Sequence, residues 1–245
     1  MLDLFPAPAI LAALVLIGAV AGVIRGLTGF GAALVIAPAL TLLTDPAMAV
    51  VTNMVAICAT NLPLVVGARR EADYPTVAWF FAGCLLGLPV GIWVLTTLPR
   101  EVLEGAIGIS VIVAALILAR PRIRIARMTR ALKLAAGAVS GAMNTGVGMG
   151  GPPVILTLLA AHVPPATSRA TLILYFTVLN VVSVTAMAFA GLINGTVLLW
   201  AALIIPSLTL AQRGGELLFR RGWSRHFRPI AIALLVATGV LALVR

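Results

Sequence analysis

Charge is what this chain of 245 residues has least of. Only 10% of its residues are Asp, Glu, Lys or Arg, acids number seven, and histidines two. So little charge excludes a soluble globular domain of this size, whose surface needs far more. Aromatic residues are also scarce, at 6%. The few His, Cys, Asp and Glu form no metal-ligand cluster and no nucleophile–base constellation, so neither an enzyme nor a cofactor is expected. Cys58 and Cys84 both fall in apolar stretches, where they read as small buried hydrophobes and not as a disulfide. The opening Met1-Leu2-Asp3-Leu4-Phe5 lacks the basic region of a secretory signal, so the N-terminal segment is expected to stay in the fold.

What is abundant is apolar side chain: 62% of residues, with a mean hydropathy of +1.15. Pro46–Ala68 and Thr76–Leu98 each match a bilayer's thickness without one internal charge. Apolar segments fall at about 8–24, 32–44, 46–68, 75–98, 102–119, 133–146, 150–162, 165–190, 195–212 and 228–244, broken at Gly/Pro clusters or charged loops. The second and seventh are too short to cross upright. With their predecessors they make helical hairpins, 8–44 and 133–162, whose arms are full, tilted or re-entrant. The expected fold is an all-α polytopic membrane protein.

The net charge of +10 could suggest nucleic acid, but it sits in short loops between apolar spans. With the loop 120–127 in the cytoplasm, 14 of the 17 Lys/Arg lie on that face, and only Arg100 and Arg245 lie opposite. Arg25 falls within the membrane. Positive charge stays inside, so both termini are expected outside, in a multi-pass protein of the inner (plasma) membrane. The arginines of the link read most simply as partners of anionic lipid headgroups, with a regulatory or partner-binding role as the alternative; no folded module accompanies them to bind nucleic acid.

The chain also repeats itself. Gly18-Ala19-Val20-Ala21-Gly22 and Gly29-Phe30-Gly31 return 119 residues later as Gly137-Ala138-Val139-Ser140-Gly141 and Gly148-Met149-Gly150. At that offset Pro46-Ala47 meets Pro165-Ala166, Thr52 meets Thr171 and Asn61 meets Asn180, with 13 identities over residues 18–61. Each half holds five segments, an odd number, so the halves enter from opposite faces. That pattern predicts two inverted repeats, 1–119 and 133–245, joined by the basic link 120–132, within one membrane domain.

The glycines divide into two kinds. Gly18/Gly22 and Gly137/Gly141 are i, i+4 pairs suited to close helix packing. Gly29, Gly31, Gly148, Gly150 and Gly151 stand where the chain must turn at membrane depth, followed in the second copy by Pro152-Pro153. Backbone N–H groups freed by such breaks are tolerated where they line a cavity, and helix N-termini attract anions. Arg25 lies four residues before Gly29. It reads as an anion's charge partner, or else as a snorkelling side chain or the partner of Asp45. Its equivalent is the uncharged Asn144, which makes the expected site asymmetric. Asn61 and Asn180, at matching depth, serve either as cross-helix hydrogen bonds or as substrate ligands. Thr28, Thr60, Ser140 and Thr145 could add hydroxyls, although such groups often bond their own backbone. His162 reads as a loop histidine over a proton relay, and Tyr175, Phe176 and the tryptophans as packing and interface anchors.

The run Gly22-Val-Ile-Arg-Gly-Leu-Thr-Gly-Phe-Gly31 leading to Pro38 resembles the N-terminal signature of the TauE/SafE family of sulfite and organosulfur-anion exporters. Gly141 through Gly151-Pro152-Pro153 is similar to that family's second signature, and the likeness extends over essentially the whole chain. Ala32 and Ala33 stand where the family shows a longer glycine run. The resemblance implies a permease for small anions such as sulfite, sulfoacetate or related sulfonates. Export by alternating access is the expectation; an anion channel and proton-coupled uptake are the rivals. The oligomeric state is left open, a homodimer included.

Overall fold

The structure, a computed structural model, describes residues 6–28, 31–119 and 127–220. Gly29, the link residues 120–126, the expected last segment 228–244 and the C-terminus lie outside the described residues. Every described element is helical: α1 (Pro8–Thr28), α2 (Ala32–Thr41), α3 (Pro46–Asn61) with a short 3₁₀ turn and α4 (Val65–Ala68) continuing it, α5 (Tyr74–Thr97), α6 (Arg100–Ala119), α7 (Arg130–Val147), α8 (Gly151–Ala160), α9 (Pro165–Phe189) and α10 (Gly195–Arg220). Among the described residues, five stretches are long and apolar enough to cross a membrane: Pro8–Leu27, Pro46–Ala68, Tyr74–Thr97, Ala166–Phe189 and Gly195–Leu218. The protein is an all-α polytopic membrane protein.

Local chemistry sets the helix starts. Asp45 caps α3, its carboxylate accepting from the N–H of Ala47 at 2.9 Å and of Met48 at 3.4 Å, with Pro46 pre-shaped for the first turn. Asp73 caps α5 and Thr129 caps α7 in the same way. The cap on α3 also settles one expectation: Asp45 serves its own helix and does not pair with Arg25. A second difference lies in α10, which runs to Arg220 where the apolar run suggests an end near 212. Arg213 and Glu216 therefore ride on a helix instead of in a loop. The residues past 212 are polar enough to look like a loop but include no helix breaker other than Gly214-Gly215, and Gly215 packs tightly on α1.

The short helices are the expected ones. With ten residues each, α2 and α8 are about 15 Å long, half a hydrocarbon layer. The turn before α8 closes α7 through a left-handed glycine: Gly148 adopts φ 77°, its N–H bonds the Asn144 carbonyl at 3.1 Å, and the Met149 N–H reaches the Met143 carbonyl at 3.1 Å. Only glycine takes that φ without strain.

Two close helix pairs frame the molecule, α1 with α10 and α5 with α7. Bare glycine backbone makes both possible. A Cβ at Gly18 would strike Ser207, one at Gly22 the Leu208 carbonyl, and one at Gly26 the Gln212 carbonyl. Gly83, Gly87 and Gly91 of α5 meet Leu134, Ala138 and Ala142 of α7, while Gly137 and Gly141 meet Phe80 and Cys84 in return. Contact numbers rise together along both pairs, so each pair is parallel. The starts of α5 and α7 are also pinned by Lys133 donating to Thr76 at 2.6 Å and by Arg130 over the Trp79 ring at 5.5 Å. In each pair the first helix of one half grips the fourth helix of the other. Between the pairs, α3 and α9 pack on each other and on the short helices.

Candidate functional site

A cavity of about 60 Å³ opens where the two short helices begin. Roughly four to six waters would fill it, at about 10–15 Å³ each. Its wall takes Arg25 from α1, Asn61 from α3, Asn144 from α7 and Asn180 from α9, with Gly31 and Ala32 at one break and Gly150 and Gly151 at the other. Met54, Ile57, Met149, Ile155, Ile173 and Phe176 supply the apolar remainder. Residues far apart in sequence thus meet around one space.

Both short helices point their N-termini at it. α2 starts after Gly31, which adopts φ 93°, and α8 after Gly150; neither start has a side-chain cap. The first N–H groups of a helix have no partner within it and carry partial positive charge. At α8, Pro152 and Pro153 remove two of those donors, so the Gly151 N–H stands largely alone.

Arg25 is only 4% exposed, a guanidinium buried at the cavity edge. Its Nη1 donates to Thr60 Oγ1 at 2.7 Å and its Nη2 to Asn61 Oδ1. Those bonds use two of five donors and leave the charge without a carboxylate in contact. The acid that acts on it through space is Glu216 of α10, which accepts from Gln212 at 3.3 Å and lies 4.0 Å from Arg169. No Asp, Glu or His lines the cavity among the described residues.

The second half repeats this arrangement with neutral groups. Asn144 Nδ2 donates to Asn180 Oδ1 and to Ser183 Oγ, each at 3.1 Å. At the offset of 119, the pair Arg25–Asn61 becomes the pair Asn144–Asn180, so equivalent residues make equivalent hydrogen bonds. The break itself is braced from behind. Asn53 Nδ2 donates to the Gly148 carbonyl at 2.9 Å, Ser140 Oγ to the Gly150 carbonyl at 2.5 Å, and Tyr175 OH to Ser140 Oγ at 2.9 Å.

Of the expected site residues, Arg25, Gly31, Asn61, Asn144, Gly150, Gly151 and Asn180 come together on the wall. Gly148 closes α7 behind it. Gly29 and the Thr28 side chain lie outside what is described. Thr145 bonds the Gly141 and Leu88 carbonyls, both at 3.0 Å, and stays out of the cavity. His162 sits exposed in a turn at φ 55°, its Nδ1 3.1 Å from the Ala160 carbonyl, away from the site.

Asn53, Ser183 and the brace formed by Tyr175 were not legible in the repeat, because at that offset Asn53 falls on Leu172 and Ser183 on Leu64. Their signal was type alone: a polar side chain deep in an apolar span needs a partner. Among the described residues, Thr52 Oγ1, Asn53 Oδ1 and Asn61 Nδ2 are buried polar atoms without one.

The family described as Sulfite exporter TauE/SafE matches residues 14–242. A protein of Cupriavidus necator described as a probable sulfite/organosulfonate exporter TauE is 27% identical over 221 residues, covering 87% of this chain and 84% of that protein. No solved structure matches.

Proposed function

The chain belongs to the TauE/SafE family of transporters, and on that premise we propose that it exports small sulfur-containing anions, such as sulfite, sulfoacetate or related sulfonates, through the cavity at Arg25. The observation that carries the reading is the wall itself: a buried guanidinium and two helix N-termini converge, with no carboxylate among the described lining residues. Such a cavity is electropositive and desolvated, where an anion is held most strongly. Arg25 supplies the charge. The N–H groups at Gly31–Ala33 and Gly151, with the amides of Asn61, Asn144 and Asn180, are the polar ligands, and Gly148 shapes the break behind them. The apolar face seats the remainder of an organic anion.

Movement across the membrane would come from the two halves rocking about this shared site. Cross-half gripping of α1 on α10 and of α7 on α5 supports an inverted repeat, since equivalent helices make equivalent contacts. Each elementary charge moved outward against a negative interior gains about 2.3 kcal/mol per 100 mV, so efflux can proceed without a coupling ion. The described wall offers no carboxylate or imidazole to carry a proton inward.

Purified protein in liposomes tests this directly. Sulfite or sulfoacetate inside should leave at a saturable rate and should be accelerated by the same anion outside. Flux that rises linearly with concentration and ignores the opposite side would mean a channel. No anion-dependent flux, from protein that is folded, would overturn the proposal.

A further inference from the structure

We propose that Asn144 and Asn180 recognise a hydroxyl on the anion, so that the preferred ligand is a short sulfonate bearing one. The inference rests on the anion-site reading above and adds a rule for choosing among sulfonates.

Asn144 and Asn180 are almost fully buried, at 3% and 2% exposed, and both stand on the cavity wall. A side-chain amide has two N–H donors and an oxygen that accepts. Asn144 uses both donors, one on Asn180 Oδ1 and one on Ser183 Oγ, each at 3.1 Å. Among the described residues, its own Oδ1 has no partner, and neither has the Asn180 NH₂. Neither atom is sealed, since the unpartnered polar atoms cut off from open space lie on Thr52, Asn53 and Asn61. The Asn144 oxygen is aimed at the break, 3.1 Å from where a Cβ on Gly150 would stand.

An acceptor and a donor thus face the cavity from adjacent side chains. Their number does not depend on which way the two amides are turned. Exchanging oxygen and nitrogen in both keeps the bond between them and still leaves one free oxygen and one free NH₂.

The cavity therefore has a charged end and a neutral end. At the offset of 119 the pairs Arg25–Asn61 and Asn144–Asn180 are counterparts, but the first brings a cation and the second an uncharged donor–acceptor edge. A space of about 60 Å³ is so small that a ligand filling it touches both. Its sulfonate oxygens go to Arg25 and to the N–H groups opening α2. What meets the amide edge must donate and accept at once, and a hydroxyl is the smallest group that does both. A methyl group there leaves a buried oxygen and a buried NH₂ unpaired. A carboxylate, with no proton to give, serves only the NH₂. Such a mismatch weakens binding by roughly ten- to a hundredfold.

Hydroxymethanesulfonate and ethanesulfonate are the probes. They share the same charge, the same number of non-hydrogen atoms and nearly the same shape, and differ by a hydroxyl in place of a methyl. Both are titrated by calorimetry into the purified full-length protein, in mildly acidic buffer where hydroxymethanesulfonate does not release sulfite. Hydroxymethanesulfonate should bind roughly ten- to a hundredfold more tightly. Equal affinities, or tighter binding of ethanesulfonate, would overturn the inference and leave the anion site standing. Binding of neither probe would overturn the anion site and the inference together.

Asn144→Leu, close in volume but without polar atoms, assigns the preference to its residue. The ratio of the two affinities should fall toward one, whereas a merely structural role would weaken both ligands alike. An unchanged ratio in the folded variant would refute the role of the pair. Asn180→Leu removes the other half of the edge, should lower the ratio in the same way, and is read if Asn144→Leu does not fold.

Discussion

Replacing Arg25 with Ala should separate ligand binding from stability, because the losses offset in the ligand-free protein and do not offset in binding. Arg25 is almost fully buried and gives two hydrogen bonds, to Thr60 and Asn61. Removing it leaves two buried oxygens unserved, at about 1–3 kcal/mol each. It also removes a desolvated charge with no carboxylate in contact, and that burial itself costs several kcal/mol. The two terms nearly offset, so the ligand-free variant should melt close to, or above, the parent. Binding has no such offset. Loss of one member of a buried charge pair costs about 2–5 kcal/mol, which is roughly 30- to 4,000-fold in affinity. Arg25→Lys keeps the charge but cannot fork to both oxygens at once, and should fall between. Thermal unfolding of purified protein, with and without sulfite or methanesulfonate, reads both quantities in one experiment. A folded Arg25→Ala protein that keeps its ligand-induced shift would refute the reasoning. So would a variant that is strongly destabilised without ligand, since Arg25 would then be a structural pin.

Three further outcomes follow from the packing. Gly87→Val and Gly137→Val should fail to fold or express, because even a Cβ at either site runs into the partner helix's backbone, whereas Gly105→Ala, with open space around it, should be neutral or stabilising by about 0.5–1 kcal/mol; thermal melts compare them. Gly148→Ala should cost about 1–2 kcal/mol for its left-handed backbone, and Asn53→Ala should lower flux by freeing the Gly148 carbonyl, with rescue by Asn53→Gln as the check on positioning. Single cysteines near residues 73 and 129 should react with an impermeant reagent from one face, and cysteines near 7 and 194 from the other. Labelling of 7 and 194 from opposite faces, or of 73 and 129 from opposite faces, would break the parallel pairing of α1 with α10 or of α5 with α7.

Much of this molecule is legible in its sequence, and the reason is the bilayer. Because lipid satisfies no backbone group, helix length, charge position and glycine breaks are all written openly. The repeat points to Arg25, Asn61, Asn144 and Asn180 as a set, since polar residues at matching depth stand out against apolar spans. What stays hidden is pairwise. Nothing in the repeat says that Arg25 would take Thr60 and Asn61 as partners in place of Asp45; only the cap geometry of α3 removes that acid. The apolar wall, from Met54 to Phe176, looks like any other span residue until the helices meet. The extension of α10 was masked by Gln212, Arg213 and Glu216, polar residues that end an apolar run without ending a helix.

The grip of α1 on α10 bears on how the protein is made. Gly18 meets Ile204 and Ser207, and Gly26 meets Gln212 and Gly215, so the first helix described waits for the last one described. At about 5–20 residues per second, that wait is roughly ten to forty seconds on the ribosome. Throughout it, a stripe of bare backbone faces lipid or whatever small-residue helix drifts past. The residues that let the finished protein close so tightly therefore make its nascent chain prone to wrong partners. A cell that slows synthesis of the second half should see more misassembly, and the first casualty should be α1.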